Sequence, residues 1–551
     1  MKEIILAILK AALEKARAQG RLKSVPATIG LEAPRDPAHG DIATNVALTM
    51  ARAEGQPPRA IAEIILEHIA LDHEVLEAKA AGPGFINFRM APEFWQREIR
   101  RAVCEGAAFW RPSLGAGRKV QVEFLSANPT GPLTVGHGRN AVLGDTIARL
   151  FAATGYQVTR EYYFNDGGRQ MKLLGESVRV RYLEALGRPA VFPEDGYHGE
   201  YIREIARTLI EAHRDTLADT TDLEVFRAAA VDAIFADIRH SCERLGVSFD
   251  VYSNELELIR GGAVEAVIAG LRERGLIAEY DGAVWLRGEP LGLPKDAVLI
   301  RQTGEPTYRT PDIAYHVEKL KRGFDRIIDV FGADHIAEHD EVIAAVRALG
   351  HDVAPIRAII YQFVTLTRGG EKVKMSTRKA TYVTLDELVD EVGPDVVRFF
   401  FLFRKSDSHL DFDLDLAKRQ APENPVFYVQ YAHARLQSVF REAEKAGHQR
   451  PTADTAADLA LLSDEELGLA KRAIAMPAVI AAATVDLEPH RIPFYLLELA
   501  GEFHRYYNKP ANRIIGSEPA LTTTRLYLAA LVMDALRNGL ELIGVSAPER
   551  M

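Results

Sequence analysis

The 551-residue chain contains only two cysteines, Cys104 and Cys242. That excludes a disulfide scaffold or a cysteine zinc ribbon and fits a reducing cytoplasm. No apolar run approaches the roughly 20 residues that a membrane helix needs. The first twenty residues, MKEIILAILKAALEKARAQG, begin like a signal peptide, but Lys10, Glu14 and Lys15 interrupt the apolar core. Ile4, Ile5, Ile8, Leu9, Ala12 and Leu13 instead fit one face of an amphipathic helix. Internal repeats and low-complexity tracts are missing. Positive charge is not in excess: 67 Lys+Arg against 77 Asp+Glu leave a formal net charge of −10. Indiscriminate coating of nucleic acid is thereby disfavoured, although a locally basic groove is not, because binding depends on charge close to the phosphates.

What is present is an ordinary globular composition, 47% hydrophobic and 26% charged, long enough for two to four domains. Residues 1–112 read as an α+β domain, with a helix at the N-terminus, another near 41–53, and a strand in AGPGFINFRM. RPSLGAG at 111–117 reads as a linker with little to bury. Residues 113–419 alternate strand-like and helix-like segments, the pattern of a Rossmann-like parallel sheet. Strands are expected at 119–125, 157–164, 297–302, 326–331 and 357–366, and YDGAVWL carries an Asp-Gly hairpin turn. Residues 420–551 lack strand patterns and read as an all-α helical bundle.

One stretch combines these signals with chemistry: VEFLSANPTGPLTVGHGRNAVLGD, residues 122–145. A strand is broken by Asn128, Pro129, Gly131 and Pro132, and a helix begins near Arg139 and stops at Gly155. Gly131 and Gly136 have P-loop spacing, but His137 and Gly138 replace the lysine and the Ser/Thr that hold the β/γ-phosphates and magnesium. The dinucleotide glycine fingerprint is missing too. What remains is a glycine-lined turn with backbone amides and His137 at a helix N-terminus, suited to ATP phosphates. A packed turn with a helix-capping histidine explains the same residues without ATP.

A second stretch, RGGEKVKMSTRKATYVTLDEL at 368–388, places five basic residues and one acid between Arg368 and Lys379. Gly369 and Gly370 suggest a mobile loop able to close on phosphate. Thr384 and Glu387 open the next helix with a capping box. TVGH followed far downstream by KMS resembles the paired signatures of class I aminoacyl-tRNA synthetases. The context resembles the arginyl-tRNA synthetase family over nearly the whole chain. DPAHGDIATNVAL, YFNDGGRQM, YRTPDIAYHVEK, VFGADH, NPVFYVQYAHARL and LRNGLELIGVSAPERM follow in order.

The resemblance implies that arginine and ATP give arginyl-adenylate and pyrophosphate, and that arginine then passes to the 3′ end of tRNA(Arg). It implies ATP as substrate with Mg2+, no dedicated protein metal site, a monomer, a cytoplasmic location and no membrane. His137, Lys374 and Ser376 would be catalytic, and Thr134, Gly136, His137, Asp334, Lys374 and Met375 would hold ATP. Glu123, Ser126, Asn128, Tyr308 and Asp312 would bind the amino acid, whose guanidinium wants carboxylates in fork geometry. Tyr431, His433, Arg435, Tyr506, Tyr507 and Asn508 would contact tRNA in a C-terminal region that is not basic overall, with 13 Lys+Arg against 16 Asp+Glu over 421–551. Thr134 stands where the family signature usually has its first histidine. Two other classes share parts of this pattern: a tRNA-binding protein without catalysis, and a small-molecule adenylyltransferase. The spacing of His335, Glu338 and His339 suits a zinc site, and LDFDLDL a metal tripod, yet both read more simply as a strand end and a strand.

Overall fold

The computed structural model describes residues 1–32, 34, 36–373, 383–516 and 518–551. By contacts the chain forms two compact units. One comprises 1–106, 442–474 and 513–531, and the other 107–441, 475–512 and 532–551. This grouping differs from the sequence-order division at 112 and 419, since the C-terminal helices are shared between the units.

The second unit is built on a five-stranded sheet. Its strands are β1 (Lys119–Glu123), β2 (Gln157–Phe164), β3 (Val251–Asn254), β4 (Arg326–Gly332) and β5 (Ile356–Tyr361). They lie in the order β5-β4-β1-β2-β3 with every neighbour parallel. The chain winds one way from β1 through β2 to β3, and the other way from β4 to β5. The switch point therefore falls between β1 and β4, where parallel α/β sheets open a crevice at their strand C-termini. Val120 and Val122 are fully buried on one face of β1, as is Phe124 just after it. Gln121 is buried as well, and its amide donates to Glu161 at 2.6 Å.

Helix α1 runs Val135–Ala153, one turn earlier than the sequence pattern predicts. Gly136 and Gly138 are poor helix formers and mask the periodicity. Close packing requires glycine later in the helix, where a Cβ on Gly144 would lie 2.1 Å from the Phe124 ring. Arg139, fully buried, donates to the carbonyls of Gln362, Lys405 and Ser408. Burial lowers its pKa to about 10.

The Asp-Gly hairpin forms as read, between Ile277–Tyr280 and Ala283–Leu286, with Asp281 and Gly282 both at positive φ (53° and 71°). The single strand expected at 357–366 is two, β5 and Val364–Arg368. Between them, Gln362 turns its N–H to Ser406 and its carbonyl to Arg139. Gly369 and Gly370 are the tight turn of a hairpin from Val364–Arg368 into Glu371–Lys372, with φ of 59° and 78°. The expected linker at 111–117 is packed: Leu114 and Gly115 donate to the Thr154 carbonyl, and a Cβ on Gly115 would meet Tyr156 at 2.4 Å. Only the first half of LDFDLDL is a strand, Leu410–Asp413; Asp413 then caps a short helix, Leu414–Ala417, that takes the rest.

In the first unit, helices Lys2–Ala18, Val46–Glu54 and Pro58–His68 accompany a three-stranded antiparallel sheet, Ile42–Thr44, Phe85–Met90 and Val75–Ala81. Ile5, Leu9, Leu13, Ile61, Ile65 and Phe88 form its core. Asp464–Val485 has the length and composition of a membrane span. It is divided into helices Asp464–Ile474 and Met476–Val485, and its buried Glu466 accepts from Arg525 at 2.7 Å.

Candidate active site

Beyond the C-terminal ends of β1 and β4 lies a cavity of about 380 Å³. Four of the five expected amino-acid ligands, Glu123, Ser126, Asn128 and Asp312, line it together with His137. Tyr308 does not. It stands 52% exposed at the N-cap of helix α2 (Arg309–Lys321).

The loop after β1 is fixed by unusual backbone. Leu125 and Ser126 adopt positive φ (68° and 45°), a strained region for non-glycine residues that the surroundings must enforce. Leu125 donates its N–H to Asn140 Oδ1 at 2.7 Å, and Asn140 in turn donates to the Val330 carbonyl at 3.0 Å. Ser126 Oγ donates to Glu123 at 3.1 Å and accepts from the Tyr163 N–H at 3.1 Å. Asn128 Oδ1 accepts from the Asn165 N–H at 3.0 Å.

Several residues that line the cavity, or that pair with its lining, escaped the sequence reading. Tyr163 and Tyr315 stack at 4.2 Å between centroids. Lys319, with no exposed surface, pairs with Glu123 and with Asp329 (2.7 Å). His316 donates from Nδ1 to the Asp312 carbonyl at 2.7 Å, and its Nε2 lies 3.1 Å from Asp329. Buried Glu255 accepts from Tyr163 at 3.0 Å and from Asn165 at 2.5 Å. Asp312, His316 and Lys319 are spaced i, i+4, i+7, one helical face, and that signal was available in the sequence. Asp329 depends on strand pairing across the sheet and Glu255 on side-chain contacts made just after β3, and no local pattern announces either.

The charges are unevenly matched. Burial opposes the charge on Lys319, but Asp329 and Glu123 outweigh it and hold the ammonium above its usual pKa. Burial also opposes the Asp329 charge, yet Lys319 and His316 hold that carboxylate well below its usual range. Asp312 is different. Burial, then Glu255 and Glu123, push it well above the usual carboxylate range, and it has no ion-pair partner among the described residues.

A neighbouring cavity of about 530 Å³ is lined by Asn128, Thr130, Gly131, Pro132, Thr134 and His137, facing residues 194–199 and Tyr201. Asn128 and His137 border both spaces. Thr134 is the N-cap of α1: its hydroxyl accepts from the His137 N–H at 3.4 Å, and its own N–H donates to His137 Nδ1 at 3.2 Å. With Nδ1 accepting, the ring proton sits on Nε2, the remaining donor. Burial lowers the His137 pKa and favours this neutral form. Gly136 lies in the first turn, and the Asp334 side chain is 58% exposed beside His335. Lys374, Met375 and Ser376 lie outside the described residues.

The expected tRNA contacts divide in two. Arg435 lies over the rings of Tyr431 (4.8 Å) and Tyr507 (5.0 Å) and donates to Asn508 at 3.1 Å. His433 and Tyr506 are buried, because helical periodicity turns each away from the face that carries the neighbouring ring.

Residues 98–398 match the family described as tRNA synthetases class I (R), catalytic domain. Residues 3–90 match the arginyl tRNA synthetase N terminal domain, and 429–551 the DALR anticodon binding domain. A curated arginine–tRNA ligase of Desulfotalea psychrophila is 49% identical over 95% of this chain and 94% of its own length. The chain belongs to the arginyl-tRNA synthetase family. The arginine–tRNA ligase of Chlorobium limicola is 44% identical over the full length of both chains. Thermus thermophilus arginyl-tRNA synthetase shares the fold, with a TM-score of 0.78 at 24% identity over 98% of this chain and 99% of that one. This family member therefore has the catalytic and anticodon-binding domains of a class I aminoacyl-tRNA synthetase, an ATP-using enzyme.

Proposed function

We propose that the chain is an arginine–tRNA ligase whose amino-acid site is the cavity between β1 and β4. The observation that carries the reading is Asp312, a carboxyl group without an ion-pair partner among the described residues, crowded by Glu255 and Glu123. Such a pocket gains most from a cation with several N–H donors, and a guanidinium supplies five in a planar fork.

Arginine bound there presents its carboxylate towards the neighbouring cavity, where the triphosphate sits. A carboxylate oxygen forms a bond to the α-phosphorus while the bond to the bridging oxygen breaks, and pyrophosphate leaves. A terminal ribose hydroxyl of tRNA(Arg) then attacks the arginyl carbonyl, and AMP leaves. No protein nucleophile is needed. The protein orients the reactants and meets charge on the phosphates. His137 donates from Nε2, Gly136 keeps the backbone approachable, and Lys374 and Ser376, with Met375, meet the phosphates from the KMS motif. Asp334 serves the nucleotide from the end of β4, and Tyr308 closes over the amino acid from α2.

Mg2+ arrives with the triphosphate, as suits an ion that keeps water and takes phosphate oxygens. The functional division runs 1–112, 113–419 and 420–551, and Tyr431, Arg435, Tyr507 and Asn508 form the stacking face for unpaired tRNA bases. The enzyme acts as a cytoplasmic monomer without a membrane. ATP–pyrophosphate exchange tests the reading. Exchange should depend on arginine, measured with and without tRNA, and exchange driven equally by lysine or by no amino acid would refute it.

A further inference from the structure

We propose that His316, Asp329 and His339 form a binding site for one divalent transition-metal ion of the zinc class. Their ligand atoms all lie within 4.8 Å of one another in the wall of the amino-acid cavity. They come from three separate elements: α2, β4 and helix Ile336–Ala348. This is not the His335–His339 motif of the sequence, since only His339 of that pair takes part.

The lone pairs carry the argument. His316 Nδ1 faces the Asp312 carbonyl, an acceptor only, so that nitrogen holds the ring proton. In the neutral ring, Nε2 then presents a lone pair to Asp329 Oδ2 at 3.1 Å, another lone pair. His339 Nε2 is buried, has no hydrogen-bond partner among the described residues, and lies 3.7 Å from the same oxygen. Two imidazoles thus converge on one carboxylate oxygen. Protons can fill both contacts only if His316 becomes an imidazolium while His339 carries its proton on Nε2, whereas a metal ion takes all three donors with neutral rings.

The dimensions and chemistry agree. Metal–ligand bonds of about 2.0–2.2 Å put tetrahedral ligand atoms roughly 3.3–3.6 Å apart, close to the 3.1 and 3.7 Å between Asp329 Oδ2 and the two imidazole nitrogens. The Nδ1–H of His316 on a backbone carbonyl is the outer hydrogen bond that fixes a metal-binding tautomer. Lys319 takes Asp329 Oδ1 and leaves Oδ2 for the ion, and Glu123 offsets the ammonium. Two imidazoles and one carboxylate favour zinc, cobalt, nickel or copper over magnesium. None of this depends on which amino acid the cavity takes.

The full-length protein, treated with chelator and dialysed, is titrated with Co2+ and Zn2+ in the absence of arginine and ATP. One Co2+ per chain should bind with the visible absorption of a four-coordinate site, and Zn2+ should displace it. His339→Gln and His316→Gln should each weaken binding by about 100-fold or more, beyond the usual loss of an outer-shell partner. His335→Gln should leave it unchanged. X-ray absorption of the zinc-loaded natural protein, which needs no variant, should show two imidazoles with oxygen. No stoichiometric binding, a shell of oxygen alone, or binding retained in the double His316→Gln/His339→Gln variant would overturn the site.

Discussion

Glu123 and Asp329 face each other at paired positions on the neighbouring parallel strands β1 and β4, and the Lys319 ammonium lies between them. Glu161 continues the same row on β2 and is held by Arg322 at 2.8 Å. Three carboxylates in one rung of a sheet repel one another unless cations are built in. The two cations that do this come from α2 and the turn after it, so the helix that carries Asp312 is also the counter-ion of the sheet.

Lys319→Met should therefore cost about 3–5 kcal/mol of stability, the scale for breaking a buried ion pair from one side. Urea denaturation measures this. The pH profile carries a sign. Asp329, depressed in the folded state, stabilises above the ordinary carboxylate pKa of about 3.9. That stability is lost as pH falls through the lower folded value. Lys319, raised in the folded state, contributes fully below its unfolded pKa, and its contribution is lost as pH rises through the folded one.

Asp312→Asn should weaken arginine binding by roughly 2–5 kcal/mol and leave ATP binding nearly unchanged. In the natural protein, burial and the carboxylates of Glu255 and Glu123 raise the Asp312 pKa, and a bound guanidinium favours the ionised form. Binding should thus release a proton and strengthen as pH rises towards the Asp312 pKa of the free enzyme. Calorimetry in buffers of different ionisation enthalpy reads that proton directly. Proton release that persists in Asp312→Asn would assign it elsewhere.

Thr134 caps α1 while His137 faces both cavities, so the two positions should respond differently. Thr134→His should alter the activation rate by no more than about tenfold, equal to about 1.4 kcal/mol. Thr134→Ala should cost about 1 kcal/mol of stability through the lost cap. His137→Ala should lower activation by about 10²-fold or more, as should Lys374→Ala, with arginine affinity little changed. A larger effect on arginine affinity than on rate would make both residues structural.

On the C-terminal face, Arg435→Ala or Tyr507→Ala should weaken tRNA binding by about 1–3 kcal/mol, the scale of one base stack. Arginine activation should persist. Point variants are the right test here, because 475–512 and 532–551 belong to the same compact unit as the sheet. Arg398, for example, donates to the Ile543 carbonyl at 2.7 Å, so removing the C-terminal residues would expose the catalytic core.

The sequence made the parallel sheet legible because alternation and helix stops are local, and β2 lies where its pattern put it. Glu123, Ser126, Asn128 and Asp312 were reached through motifs, and folding brings them to one cavity. What could not be read was long-range. Asp329 becomes a site residue only through its register against Glu123, and Glu255 only through the Tyr163 and Asn165 contacts. Tyr308 shows the converse, a motif residue that stands at the helix cap outside the cavity. The glycines of α1 and of the 369–370 turn were misleading because glycine marks both freedom and close packing.

The most direct test of the account is charging of purified tRNA(Arg) by the natural protein, with each of several radiolabelled amino acids supplied in turn. Arginine alone should be esterified to the 3′ end, ATP should be required, and Asp312→Asn should abolish the reaction at arginine concentrations that saturate the natural enzyme. Charging with another amino acid, charging by Asp312→Asn at the natural rate, or no charging by the intact chain would contradict it.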